Sequence, residues 1–296
     1  MSGYAPSRTL GVRVELIRQV RRRRTAIAAA LALALPVIVV LAVLFGPSGQ
    51  DSGGGGGGGG FGGGGGGGGF GGGDLDLIGL ATAGAWNFTM TMLFFSSGFL
   101  LVIIAAMFLG DTVASEASWG TLRYLLIAPV PRRRLLRVKV TVGLLLTLAV
   151  LGILVVTSFG VGWLAFGAGT LASPLGGSLD AGQSTARLLL IAGYIAITLL
   201  VPAGLAILMS VTTDAPLGAV GAAVVIVTVA NILDAIDALG DLRRWLPTHY
   251  GAAWVDALGP TIVWDQMAIG VASSVAFFAL TVTVAVLRFD RKDILS

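Results

Sequence analysis

Six stretches of this chain carry no charged residue, and each is long enough to cross a hydrocarbon layer; few folds survive that pattern. They run Ala26 to Phe45, Phe88 to Leu109, Val140 to Phe166, Leu188 to Val211, Leu217 to Leu233 and Ala268 to Leu287. A charge at mid-bilayer costs about 2.5–3.5 kcal/mol on insertion scales, so uninterrupted blocks of this length mark where chain meets lipid. Backbone polar groups in lipid must be satisfied internally, by helices or closed barrels. The blocks lack the period-two alternation of barrel strands and exceed their length. The expected fold is all-α: a polytopic membrane protein with six transmembrane helices. Pro36 interrupts the first span and predicts a kink there; the fourth contains Pro202.

Composition excludes most chemistry. Charged residues make up 11% of the 296, against roughly 25% in soluble domains, and the mean hydropathy is +0.92. There is no cysteine, which removes disulfides, thiolate catalysis and thiolate metal sites. His249 is the only histidine, so no His-pair metal motif exists. No Gly-x-x-x-x-Gly-Lys-Ser/Thr occurs, and neither Lys139 nor Lys292 has that context. The chain holds no catalytic, cofactor-binding or metal set of its own. Ser96-Ser97-Gly98 lies within the second span, whereas His249, the one histidine available as a base, falls in an outside loop, so intramembrane proteolysis is not expected.

Basic residues set the orientation. Arg8, Arg13, Arg18 and Arg21 to Arg24 precede the first span. Arg123, Arg132, Arg133, Arg134, Arg137 and Lys139 follow the second, and Arg288, Arg291 and Lys292 follow the sixth. The other side has only Arg187, Arg243 and Arg244. Sixteen against three places both termini in the cytoplasm. The first apolar run, about 20 residues, is longer than a signal-peptide core, and no small-residue cleavage site follows, so an uncleaved span is expected.

Residues 1–24 then form a cytoplasmic tail in which Leu10, Val14 and Ile17 share a helical face, an interfacial piece beside arginines suited to anionic headgroups. With no stacking aromatics from Leu10 to Arg24, this stretch points to membrane lipids and not to nucleic acid. Residues 25–45 form the first span. Residues 46–84 are an extracytoplasmic loop, where Gly53 to Gly73 is interrupted only by Phe61 and Phe70. Such a tract cannot offset its ordering entropy and reads as a flexible spacer. Residues 85–296 hold the other five spans and a tail at 288–296. The segment from Asp234 to Asp265, with Trp245, Tyr250, Trp254 and Trp264, reads as an aromatic belt at headgroup level, His249 being a polar loop residue within it.

The loop after the second span carries the most information. Trp119, Leu122 and Leu126 recur at helical spacing, with Asp111, Ser115, Glu116 and Arg123 on the other side, which predicts an amphipathic helix over 111–126 ended by Pro129 and Pro131. The run Glu116-x-x-x-Gly120-Thr121-Leu122-Arg123, then Leu125-Leu126-x-x-Pro129-Val130-Pro131-Arg132, resembles the signature stretch of ATP-binding-cassette permeases of the type-two exporter class, membrane subunits of bacterial drug, antibiotic and sodium exporters. Pro131 stands where that family more often has Ser. The tail Phe289-Asp290-Arg291-Lys292-Asp293-Ile294 is similar to the family's basic-acidic ending.

The resemblance implies a non-enzymatic permease subunit in a bacterial cytoplasmic membrane, pairing with a second, identical or related permease and with cytosolic ATPases that hold the ATP and Mg. It implies that residues 111–126 are a coupling helix docking on the ATPase, through Asp111, Glu116, Trp119, Gly120, Thr121 and Arg123. The short loop around Asp214 would add a smaller second contact, and Asp214 is placed to cap the fifth span. The N-terminal amphipathic piece resembles the family's elbow helix.

Two other classes compete. Asn231, Asp234, Asp237 and Asp241, spaced 3, 3 and 4, would line one helical face as an ion path does in a gradient-driven transporter. They equally suit a helix leaving the membrane, with Arg244 a partner for Asp241. A non-transporting scaffold recruiting a cytosolic partner would share the same loop helix.

Overall fold

A computed structural model of the chain describes residues 11–45, 77–118, 132–172, 178–259 and 261–291. Six of its helical segments are long and apolar enough to cross a membrane, and the chain is a multi-pass membrane protein. The poly-glycine tract, with Phe61 and Phe70, lies outside the described residues, as do Leu10 and Lys292.

A short helix α1 (Val12–Val20) turns at Arg21–Arg22 into α2 (Arg23–Phe45), the first span. Pro36 sits buried inside α2, which runs on as one helix past it. After α3 (Leu77–Thr82), the second span is built from α4 (Ala85–Phe95), a π-helical turn (Ser96–Leu100) and α5 (Leu101–Ser118). The amphipathic helix expected over 111–126 is not a separate element in its described part, because residues 111–118 continue α5. Only from Trp119 onward does the chain leave the described region.

The third span, α6 (Arg132–Phe166), begins at the arginine run itself. Its 35 residues rise about 52 Å, well beyond the ~30 Å of hydrocarbon. The basic stretch is therefore an extension of the span. The fourth span breaks into α7 (Ala181–Thr198) and α8 (Leu200–Thr212) at Leu199. Pro202 is the cause, since it has no N–H to give to the carbonyl four residues earlier, and its ring crowds that carbonyl. α9 (Pro216–Asp234) and α10 (Asp265–Arg291) are the last spans, joined by two 3₁₀ helices, Asp237–Trp245 and His249–Leu258. Between α6 and α7, β1 (Leu171–Ala172) pairs antiparallel with β2 (Ser178–Leu179), Leu171 opposite Leu179. These four residues are a small departure from the all-helical expectation.

Apolar character all round a helix sends it to the centre, and α5 obeys: Leu101, Ile104, Ala105, Phe108 and Leu109 are all fully buried. It packs on α6, α8 and α9, while α2 lies on α6 and α10 on α8. Close approach depends on missing side chains, as is usual where no hydrophobic drive separates helix from lipid. A methyl on Gly143 would stand 2.8 Å from Leu109, and one on Gly110 would stand 3.0 Å from Val220. Large side chains such as Ile27, Val225 and Leu280 stay exposed on α2, α9 and α10, the expected lipid face of a chain this apolar. Trp254 and Tyr250 are not part of an exposed belt. Both are buried, Trp254 in edge contact with Phe94, and only Trp245 and Trp264 stand out.

Candidate functional site

Charge gathers where α1 meets the ends of α5 and α6, and here the sequence predicts its coupling residues. On α1, Glu15, Arg18 and Gln19 share one face through i, i+3 and i+4 spacing. Glu15 and Gln19 turn inward and are buried, Arg18 reaches them from an exposed position, and Val14, Ile17 and Val20 are exposed on the outside. The Glu15 carboxylate accepts from Gln19 Nε2 at 2.8 Å and from Arg18 Nη2 at 2.9 Å. Arg18 Nη2 also donates to Glu116 Oε1 at 2.9 Å.

Lys139 closes the cluster from α6. Its ammonium donates to Glu116 Oε1 at 2.7 Å and to the Thr112 carbonyl at 2.9 Å, and stands 3.9 Å from Glu15. Lys139 is 1% exposed and Glu116 4%. Asp111 pairs with Arg22 at 3.5 Å and with Arg24. A second tie comes from α8, where Ser210 Oγ accepts from the backbone N–H groups of both Val113 and Ala114 at 3.1 Å. At the same end of the bundle Arg133 donates to Asp290 at 2.8 Å, joining α6 to the last turn of α10.

The electrostatics follow from this packing. Burial alone would raise the Glu15 carboxyl, but the Lys139 charge, the Gln19 amide and Arg18 outweigh it and hold it below its ordinary range. Burial works against the charged Arg18, yet its bonds to Glu116 and Glu15 leave it more firmly protonated than a free guanidinium. Arg22 goes the other way, lowered chiefly by burial with Arg18 beside it.

These positions change the reading of the predicted residues. Glu116 is not on a wet face awaiting a partner; it is an internal strut among three helices. Asp111 likewise faces the turn between α1 and α2 and the start of α2. Trp119, Gly120, Thr121 and Arg123 lie outside the described residues. Asp214 is exposed, but it does not cap the fifth span. Ala215 takes the N-cap position without a side-chain bond, and Pro216 opens the helix. Its loop is nonetheless tied to the first, because Ser210 stands on the last turn before it and grips α5.

The acidic series at the far end does not form one face. α9 stops at Asp234, and the extended backbone at Ile236 starts a new element, so the helical register assumed from Asn231 to Asp241 ends after two members. Asp237 is paired with Arg243 at 2.9 Å and Asp241 with Arg244 at 3.3 Å, the latter as expected. Asp234, buried, meets His249 Nδ1. His249 is therefore a partner to a buried carboxylate and not an idle loop residue.

Sequence reasoning missed Glu15, Lys139, Ser210 and His249 as members of these contacts. Only Lys139 left a trace, being one of two lysines in a chain that otherwise uses arginine. Among the described residues, no group of three His, Asp or Glu side chains gathers to hold a metal ion.

A family model described as a protein of unknown function (DUF2705) matches residues 75–295, about three quarters of the chain, and the chain belongs to that family. No curated protein matches it.

Proposed function

We propose that this member of the DUF2705 family is the membrane subunit of an ATP-driven exporter of the ATP-binding-cassette class, working with a second permease copy or relative and with cytosolic ATPase subunits. One observation carries the reading. The segment bearing the signature resemblance begins at Glu116, on a helix end fastened by Lys139 and Arg18 to α6 and α1 and by Ser210 to α8. A load applied just beyond Ser118 therefore passes to the third and fourth spans and to the N-terminal helix together.

In this mechanism closure of the ATPases presses on residues 119–131, and the rigid continuation of the second span transmits the displacement. The spans tilt and the substrate path between the two permeases changes from inward-open to outward-open. The basic end, with α1, the start of α6 and the end of α10, faces the cytoplasm. In this reading Gly120, Thr121 and their neighbours make the partner contact, while Glu116, which is buried, carries force inside the chain.

The test is whether a neighbouring reading frame encodes an ATP-binding-cassette ATPase, followed by co-expression with that protein. The two should copurify, and ATP-dependent transport in vesicles should need both. Bulky substitution at Gly120 should abolish copurification while leaving the midpoint of thermal unfolding unchanged. Transport by the purified chain alone, driven only by an ion gradient, would refute the reading.

A further inference from the structure

We infer that the 3₁₀ helix Asp237–Trp245 is a membrane-surface anchor that lays Leu242 and Trp245 into the acyl boundary of the leaflet at the bundle end opposite α1. The inference goes beyond the exporter reading and takes nothing from it, since the leaflet is named by its end of the bundle.

Position comes first. The 19 residues of α9 rise about 28 Å, which just matches the ~30 Å of hydrocarbon. Pro216 and Asp234 therefore stand at the two boundaries, and Asp237 follows after only Ala235 and Ile236. Val263 and Trp264, which precede α10 at the same end, are exposed as well. The two 3₁₀ helices of this connection then divide the work. His249–Leu258 buries Tyr250, Trp254, Ala257 and Leu258 in the bundle. Asp237–Trp245 buries none of its residues. Its apolar side chains are left at the level where the span leaves the lipid.

The faces of the element fit that level. Gly240, with φ 50° and ψ −129°, kinks it in a conformation suited to glycine. The stretch after the kink, Asp241 to Trp245, has three residues per turn and hence three faces. Leu242 and Trp245 share one of them and are 68% and 88% exposed. Asp241 and Arg244 share the next, paired with each other at 3.3 Å. Arg243 holds the third and turns back on the chain, its Nη1 donating to Asp237 at 2.9 Å and to the Asp234 carbonyl at 3.3 Å. One face is thus tied to the end of α9, one is ionic, and one is apolar and uncovered. A boundary between hydrocarbon and headgroups calls for that division. Tryptophan suits it because the ring is apolar while the indole N–H seeks a polar neighbour.

Charge does not draw the segment to the surface. Asp237 and Asp241 balance Arg243 and Arg244, so the anchor works through apolar contact and needs no anionic lipid. Through Arg243 it fixes the depth of the α9 end, because that side chain bonds the final residue of the span.

The chain has no cysteine, so a single fluorophore can be placed cleanly. The experiment compares bimane on Leu242→Cys with bimane on Asp241→Cys, each in the purified full chain in phosphatidylcholine vesicles whose acyl chains are plain or brominated near the headgroup. Bromolipid should quench the label at 242 at least about twofold more than the label at 241, as for a face sunk about 5–10 Å into the headgroup and acyl boundary. Iodide in the water should show the reverse order, and adding anionic lipid should leave the ratio unchanged. Should Leu242→Cys fold poorly, native fluorescence carries the same test: the emission lost in Trp245→Phe should be emission that bromolipid quenches. Equal bromolipid quenching at both positions, or iodide quenching at 242 that matches 241, would overturn the inference. So would quenching that appears only with anionic lipid, or shielding of 242 from both quenchers, which would mean that a protein and not lipid covers the face.

Discussion

Replacing Lys139 by Met keeps the length and apolar character of the side chain and removes its ammonium. Two carboxylates then lose a buried cation, Glu116 at 2.7 Å and Glu15 at 3.9 Å. At an effective dielectric of about 20, one such contact at 2.7 Å is worth about 6 kcal/mol before desolvation is counted. Desolvation of the ammonium offsets much of this, and breaking a buried pair by removing one member typically costs about 3–5 kcal/mol. Arg18, at 2.9 Å from both carboxylates, remains and limits the loss to the lower end, about 3 kcal/mol. At about 2–4 °C per kcal/mol for a chain of this size, Lys139→Met should lower the midpoint of thermal unfolding in detergent by about 6–12 °C. The partner variant decides the cause. Glu116→Gln in the same background removes the stranded charge and should recover at least half of the loss. The electrostatic argument fails if Lys139→Met is neutral, or if the double variant is no more stable than the single one.

Three further tests address the neighbouring contacts. Ser210→Ala removes the acceptor for two α5 amides, should cost about 1–3 kcal/mol, and should speed exchange at Val113 and Ala114 while leaving the outer end of the second span unchanged. Gly270→Ala places a methyl onto the Tyr194 hydroxyl and 2.8 Å from Tyr250 Cβ; a loss of about 1–3 kcal/mol is expected, with Tyr194→Phe restoring part of the midpoint in that background. The Glu15 carboxyl is held below its ordinary 4.5, so its stabilising effect is complete above that value and is lost as pH falls through the lower, folded-state value. Hydrogen exchange over α1 should therefore rise on acidification below 4.5, and Glu15→Gln should flatten the profile.

The spans were legible because their signal is a sum over some twenty residues that no single position can spoil. Absent charge located all six, and the helices extend those blocks mainly where flanking basic or acidic residues join the first or last turn, as Arg133 and Asp265 do. What periodicity missed were continuity and pairing. Nothing in Asp111 to Ser118 announces whether a helix restarts or simply continues from the second span, because both choices keep the same 3.6-residue repeat. The wet appearance of Glu116 came from counting its charge without its partner. That partner, Lys139, is 23 positions away on another helix, and Arg18 is 98 away. The acidic series failed for a related reason: spacing of 3, 3 and 4 implies one face only if the helix persists, and α9 ends at Asp234.

Helices in lipid gain little from burying apolar surface against each other, since the tails are as apolar as leucine. Register between spans must then come from small-residue contacts and from polar pairs, and most of the polar pairs among the described residues sit towards the two ends, with Thr157 of α6 donating to the Ala32 carbonyl of α2 between them. At the basic end Lys139, Glu116, Arg18 and Ser210 join α1, α5, α6 and α8. At the other, Asn87 clasps Ala172 by two bonds, Nδ2 to the carbonyl at 2.8 Å and Oδ1 from the amide at 2.9 Å, while His249 holds Asp234 and Tyr194 holds Tyr250. Between these ends the second span has a π-helical turn at Ser96–Leu100, and the fourth has its break at Leu199. Both are places where the regular ladder is already interrupted, so bending there costs fewer hydrogen bonds than bending elsewhere. A chain tied mainly at its ends and jointed between them can bend at these two places while its helices keep their alignment.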